Sequence, residues 1–399
     1  MKRLFSASLL VLSVLTVILI PPGAAWSQWP PVCQEGSLPS HDPKYPEDQL
    51  IIVCIPLDWN GQLVLYAHGY VPPQSALALP VNELTIDGVF LPSTFIAQRF
   101  AFATTSFHKN GVAIEQGGED LNRLLKEFKS MVSPHSLDKV YIVGGSEGGL
   151  IAVRLLEHFP GNYSGGLAVC APLGGSPAFI KNVYDFRIVF DYFFPTVFTY
   201  PPNQPGEQPF NAFDVPQDAF LFWQSVYVPR IIAALTGNLL ATFQLFRVTK
   251  AVVDPTDPTT VIETALSLLA YPIFGANDLI ATTGGIPYDN RSTTYIGSAD
   301  DAALNAGVER IQSDGRARAY ARRFYEPTGN LHDPLVTLHN LFDPVVPFQH
   351  EIEYSSRVAK KKRSHLLTVQ SSASYGHCEF TSGEVIQAFT LMVSRSENN

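Results

Sequence analysis

The chain has 399 residues, 46% of them apolar and 16% charged, enough apolar material for a sizeable core and too much for a disordered polymer. Its net charge of -9 and pI near 5.6 argue against nucleic acid or an anionic membrane surface as partner, since both reward clustered cations.

The N-terminus, "MKRLFSASLLVLSVLTVILIPPGAAWSQ", has a basic start, an apolar stretch from Leu4 to Ile20, then Pro-Pro and small residues. This pattern is that of a secretory signal peptide over residues 1–27, cleaved after Ser27 or Ala25. An uncleaved anchor is the alternative reading, because the apolar stretch approaches the roughly 20 residues that span a bilayer. Export to the periplasm or medium, with no stable membrane association after cleavage, is the expectation. In such a compartment Cys33, Cys54, Cys170 and Cys378 can pair.

Next come short β-like runs, "LIIVCIPL", "QLVLYAH" and "FAFATTSF". "GGEDLNRLLKEFKSMV" follows, with Leu121, Leu124, Leu125 and Phe128 at helical spacing. "KVYIVGG" is again strand-like, "GGLIAVRLLEHF" helical and "GGLAVCAPL" strand-like. Such alternation predicts a mostly parallel sheet with crossover helices. From Ser176 to Asn330 the pattern breaks into an aromatic- and proline-rich stretch, then helical runs such as "RIIAALTGNLLATFQLF" and "TVIETALSLLAY". "PLVTLHNL" and "SHLLTVQ" resume as strands, and "SGEVIQAFTLMV" closes as a helix. The organisation expected is a core, residues 28–175 and 331–399, interrupted by an insertion at 176–330. "KKKR" at 360–363 reads as a helix C-terminus, where positive charge is favourable.

"YIVGGSEGGLIAV", residues 141–153, places Ser146 between glycines at a strand-to-helix junction. A nucleophilic serine needs such a sharp turn, because its Oγ must stand above the sheet while the first helical amides face a developing oxyanion. Gly144, Ser146 and Gly148 form G-x-S-x-G, with a strand before and an apolar helix after. Here the sequence resembles the α/β-hydrolase family over residues 50–175 and 333–399, and the insertion lies where that family carries a cap. The resemblance implies the order serine, acid, histidine.

"PLVTLHNLFDPVVP" resembles the family's acid loop and points to Asp343; Asp333, before the strand, reads as a turn residue. "HLLTVQSSASYGHCEF" resembles its Gly-His loop and points to His377, with His339 as a rival. "LVLYAHGYV" resembles its His-Gly loop, so the backbone N–H groups of Glu147 and Tyr70 are the expected oxyanion donors. Acyl transfer through Ser146, His377 and Asp343 requires no metal or cofactor. The acidic pairs in "DPTDP" and at Asp300-Asp301 read as helix caps. The Glu147 side chain suits the helix macrodipole, or could position a substrate ammonium.

Roughly fifteen aromatics lie between Phe179 and Tyr227. Some must bury for the insertion to fold; the remainder, with Phe194 and Trp223 as candidates, would line an apolar pocket. The expected substrate is a small or polymeric carboxylic ester with a bulky apolar acyl or aryl part, the alternatives being a serine peptidase or amidase, or an acyltransferase. Oligomeric state is not legible. Asn162 and Asn290 begin N-x-S sequons. Among the three pairings open to four cysteines, Cys33 with Cys54 would be a local staple. That leaves Cys170 and Cys378, which in an α/β-hydrolase would both lie at the C-terminal edge of the sheet. Secreted tannase and feruloyl-esterase relatives place a disulfide beside the histidine but take its other cysteine from just before the serine, where this chain has Gly145. A free, buried Cys170 is the competing reading.

Overall fold

The structure, a computed structural model, describes residues 29–133 and 135–398. The signal-like stretch 1–27 lies outside the described residues. Eight strands form one sheet: β1 (Cys33–Leu38), β2 (Gln49–Cys54), β3 (Gln62–Ala67), β4 (Ala101–Thr105), β5 (Lys139–Gly145), β6 (Gly165–Val169), β7 (Leu335–Phe342) and β8 (Leu367–Tyr375). Their order across the sheet is β1-β2-β4-β3-β5-β6-β7-β8. β2 runs antiparallel to both its neighbours, and every pair from β4 to β8 is parallel.

Parallel strands need crossovers, and helices supply them. α1 (Leu91–Ala97), α2 (Ile114–Val132) and α3 (Glu147–His158) alternate with β3 to β6. The four apolar residues read from the α2 sequence, Leu121, Leu124, Leu125 and Phe128, are all buried. Strand periodicity divides the interior in two. Leu63 and Leu65 join α2 and α3 on one face of the sheet, whereas Val64 and Tyr66 face the layer of α1 and the C-terminal helix. With both faces covered, the central strands are apolar throughout rather than alternating.

Between β6 and β7 lie α4 (Ser176–Phe193), α5 (Val228–Gly237), α6 (Leu239–Thr249), α7 (Thr260–Thr283), α8 (Asp301–Gly307) and α9 (Gly315–Tyr325). The run "RIIAALTGNLLATFQLF" is two helices, not one. Gly237 is a poor helix former, and the Asn238 side chain accepts the Ala241 N–H to start α6. Aromatic packing fills this layer: Tyr184 stacks on Phe213 at 4.1 Å, and the Arg187 guanidinium lies 3.8 Å from the Phe198 ring centroid. A buried ion pair, Lys109 Nζ to Asp278 Oδ1 at 3.1 Å, ties α7 to the loop after β4. The chain closes with α10 (Gln349–Lys360), β8 and α11 (Ser382–Glu397). Lys360 sits in the last turn of α10, and Asp300 caps α8 through the Ala303 N–H.

Asn290 is fully buried, its amide donating to Tyr295 Oη and Glu309 O. That sequon cannot carry a glycan in the folded chain.

Candidate active site

β5 ends at Gly145, α3 begins at Glu147, and the single residue between them is Ser146 at φ 51°, ψ -121°. An L-residue with positive φ is strained, and here the surrounding glycines make the turn sterically possible. A Cβ on Gly144 would lie 2.3 Å from Gly148 O, and one on Gly148 would lie 2.0 Å from Ala67 O. The turn is therefore closed to any larger residue at these two positions.

β7 and β8 deliver the other two groups. Asp343 directly follows β7 and is fully buried; its Oδ1 accepts the N–H groups of Val345 (2.9 Å) and Val346 (2.8 Å). His377 follows β8 and Gly376. Its Nδ1–H donates to Asp343 Oδ2 at 2.7 Å, and Ser146 Oγ–H donates to its Nε2 at 2.8 Å. The remaining Asp343 oxygen is held by backbone, so the histidine is fixed in one tautomer and orientation.

Among the described residues, neither the Tyr70 nor the Glu147 N–H has a hydrogen-bond acceptor. The Tyr70 loop approaches the serine closely, since a Cβ on Gly69 would lie 3.4 Å from Ser146 Cβ. A hydroxyl aligned on a buried His-Asp pair can attack a carbonyl, and two free N–H groups beside it can receive the oxyanion that forms. The strand-serine-helix turn, the sheet order and the Ser…Asp…His chain order together decide the architecture. The fold is that of the α/β-hydrolases.

No family model and no curated protein matches the sequence. Solved structures with similarity to it include the Pyrococcus horikoshii acylaminoacyl peptidase (10% identity, TM-score 0.43, 91% of this chain and 40% of that one). A membrane phospholipase A matches at 13% identity and TM-score 0.41, covering 92% of this chain and 88% of that one. Puromycin hydrolase matches at 13% identity and TM-score 0.44, covering 92% and 39%. The chain thus spans about two fifths of the length of the peptidase and of puromycin hydrolase.

His339, the rival histidine, is fully buried; its Nε2 lies 2.7 Å from Val346 O and its Nδ1 3.1 Å from Glu351 Oε1. Burial pushes its pKa down, but the Glu351 carboxylate outweighs that and raises it. It braces the acid loop without reaching Ser146. Asp333 precedes β7, at the opposite end of the strand from Asp343. Cys33 pairs with Cys54 across β1 and β2, and Cys170 pairs with Cys378. Ligand atoms of Cys170, His377 and Cys378 lie within 4.8 Å of one another, but both sulfurs are used in the bond between them and no thiolate remains for a metal.

A cavity opens beside Ser146, lined from the sheet side by Tyr70, Glu147 and Leu150 and from the helical layer by Phe179, Tyr184, Tyr271 and Tyr325, among others. Phe194 and Trp223 do not line it, which corrects the expectation from sequence. Phe194 packs on Phe190 at 5.0 Å and Trp223 on Phe274 at 5.9 Å, both almost fully buried within the helical layer. Their burial is needed to close that layer. Phe194→Ala is accordingly expected to cost about 3–5 kcal/mol of stability while leaving preference between short and long substrates unchanged. Denaturant titration and a chain-length series check the two halves; an altered preference with unaltered stability would restore Phe194 to the pocket.

Sequence reading missed Glu83. Its carboxylate accepts the Gly69 N–H (2.9 Å to Oε1, 3.0 Å to Oε2) and the Tyr66 hydroxyl (2.5 Å), bracing the loop that carries the Tyr70 N–H. Nothing in "VNELTIDG" marks it, because its partners lie 14 and 17 residues away on another strand and its loop. Burial pushes the Glu83 pKa up to about 7 and that of Glu147 up to about 8.

Both carboxyls stay protonated in the fold at pH values where the unfolded chain has ionised them. Their stabilisation is therefore complete below pH 4.5 and is lost as pH rises to about 8. Glu147→Gln should remove its share of this slope, on the order of 5 kcal/mol. Equal pH slopes for wild type and variant in chemical denaturation would refute the assignment.

Proposed function

We propose that the protein is a secreted serine hydrolase that cleaves carboxylic esters with a bulky apolar acyl or aryl part. The observation that carries this reading is the hydrogen-bonded line Asp343–His377–Ser146 at the mouth of a predominantly apolar cavity. Residues 28–175 and 331–399 act as the catalytic core and 176–330 as the cap that roofs the cavity.

Ser146 Oγ attacks the ester carbon as its proton passes to His377 Nε2; Asp343 stabilises the imidazolium, and the N–H groups of Glu147 and Tyr70 hold the oxyanion. Collapse of the tetrahedral intermediate breaks the ester C–O bond, and His377 returns the proton to the leaving alkoxide. Water, deprotonated by His377, then attacks the acyl-enzyme and releases the acid and Ser146.

An ester fits better than a peptide for a physical reason. A bound peptide brings amide N–H and C=O groups that each need a partner on leaving water, and most of the residues lining this cavity are apolar. The two disulfides favour an oxidising compartment.

Matched aryl esters and aryl amides, assayed with and without an added alcohol, test the proposal. Ester turnover should dominate, with hydrolysis as the outcome. Preferred amide cleavage would replace the reading with an amidase, and acyl transfer to the alcohol at the expense of hydrolysis would replace it with a transferase.

A further inference from the structure

Ser146 stands on the boundary between the two interiors of the protein. The buried apolar residues of the cavity wall, among them Leu150, Ile180, Val183 and Leu279, belong to the interior that α2 and α3 share with the helical layer. The histidine loop belongs to the other one: Phe380 is buried, and Cys378 packs, in the interior of α1 and α11. His377 does not line the cavity, yet its side chain is 18% exposed. Its solvent-facing surface is therefore outside the cavity.

The ground on that side is polar and open. The Glu83–Gly69 hydrogen bond joins residues 82–87 to the oxyanion loop, and Asp87 Oδ2 accepts the Ser382 N–H at 3.0 Å, which sets this segment beside the histidine loop. Asn82, Asp87 and Glu379 are all exposed. The site thus has a walled apolar half under the helical layer and a polar half that faces solvent.

The tetrahedral carbon assigns the two halves. Its bond to Ser146 Oγ is fixed, and its oxyanion points at the N–H groups of Tyr70 and Glu147, two residues that also line the cavity. The leaving oxygen must lie within reach of His377 Nε2, which returns the proton as the ester C–O bond breaks. The acyl substituent takes the direction that remains. We propose that the cavity takes the acyl half of the ester alone and that the alcohol half lies over the open rim beside His377. The proposal rests on the reading of the protein as an ester hydrolase. The substrate class that follows is an apolar acid esterified to a large hydrophilic alcohol. The acid meets a wall of apolar side chains, which rewards each CH₂ it removes from water. The alcohol meets exposed polar groups and solvent, where burial gains little and size meets no wall.

Two ester series test this on the full chain: methyl esters of straight-chain acids from acetate to octanoate, and acetates of the matching alcohols from methanol to octanol. Along the acid series kcat/KM should rise about fourfold per CH₂ until the cavity is filled, and across the alcohol series it should stay within severalfold. Methyl octanoate and the octanoate ester of a long poly(ethylene glycol) should be cleaved with comparable kcat/KM. Val183→Phe and, separately, Leu279→Phe narrow the cavity. Each should cut the octanoate-to-acetate ratio by about tenfold or more, while the octyl-to-methyl ratio among acetates holds. Every ratio is taken within one variant, so a general loss of activity cancels. A steeper response to the alcohol than to the acid, equal responses, no response to either, refusal of the polymer ester, or an octanoate preference that survives both substitutions would each overturn the proposal. Fluorophosphonate labelling of Ser146 keeps these outcomes apart from failure of the hydrolase reading: labelled protein with the wrong preference loses only the proposal, whereas absence of both labelling and turnover removes both.

Discussion

Ser146→Ala is expected to reduce ester hydrolysis to background, a loss of about 10⁶ in kcat if the triad acts as a unit, with the fold unchanged. The substitution removes one hydroxyl from a turn whose shape is set by its glycines and by the Ser146 N–H donating to Val169 O at 2.8 Å. A fluorophosphonate should label wild type at Ser146 and leave the variant unlabelled. His377→Ala should cost a similar factor. Asp343→Asn should cost about 10⁴, because an amide at that position cannot accept the Nδ1 proton and stabilise the imidazolium in the same way. Asp333→Asn, at the far end of β7, should leave kcat near wild type. Labelling at another residue, or a severe loss in Asp333→Asn with Asp343→Asn active, would remove the assignment of the three roles.

Breaking the Cys170–Cys378 bridge is expected to lower activity before the protein unfolds. Cys170 follows β6 directly, where its N–H donates to Leu338 O at 2.8 Å, and Cys378 is the residue after His377. The bridge thus anchors the histidine loop to the sheet. It also closes a sequence separation of 208 residues, which by loop entropy alone is worth up to about 5 kcal/mol. The Cys33–Cys54 bridge spans 21 residues between paired strands at the sheet edge, far from the loop that carries the base. With increasing reductant, kcat should therefore fall by about 10² ahead of the change in tryptophan fluorescence, because small displacements of a catalytic base are costly. Cys170→Ala with Cys378→Ala should reproduce the loss without reductant. Coincident loss of activity and fold, or full activity in the double variant, would show that the bridge does not position His377.

Sequence carried the local features, and its reach ended where contacts become non-local. The alternation of apolar strands and amphipathic helices was readable because each crossover unit is encoded within about 30 residues. Ser146 was readable for the same reason: strand, glycine turn and helix occupy a single stretch, and steric exclusion of any Cβ at Gly144 and Gly148 is a property of that stretch together with Ala67. Asp343 and His377 were named by resemblance of their loops; their distances from Ser146 exist only because β5, β7 and β8 lie in one sheet. Composition told that the insertion is rich in rings but not which rings face a cavity, so Phe194 and Trp223 were expected at a wall that Phe179, Tyr271 and Tyr325 form instead. Helical spacing in a layer covered on several sides does not single out one face. The grip of Glu83 on the Tyr70 loop was decided by tertiary structure alone, and so was the choice between the Cys170–Cys378 bond and a free Cys170, which sequence left open. Each depends on which groups are buried next to which across segments far apart in the chain, and burial is a property of the assembled fold rather than of any segment within it.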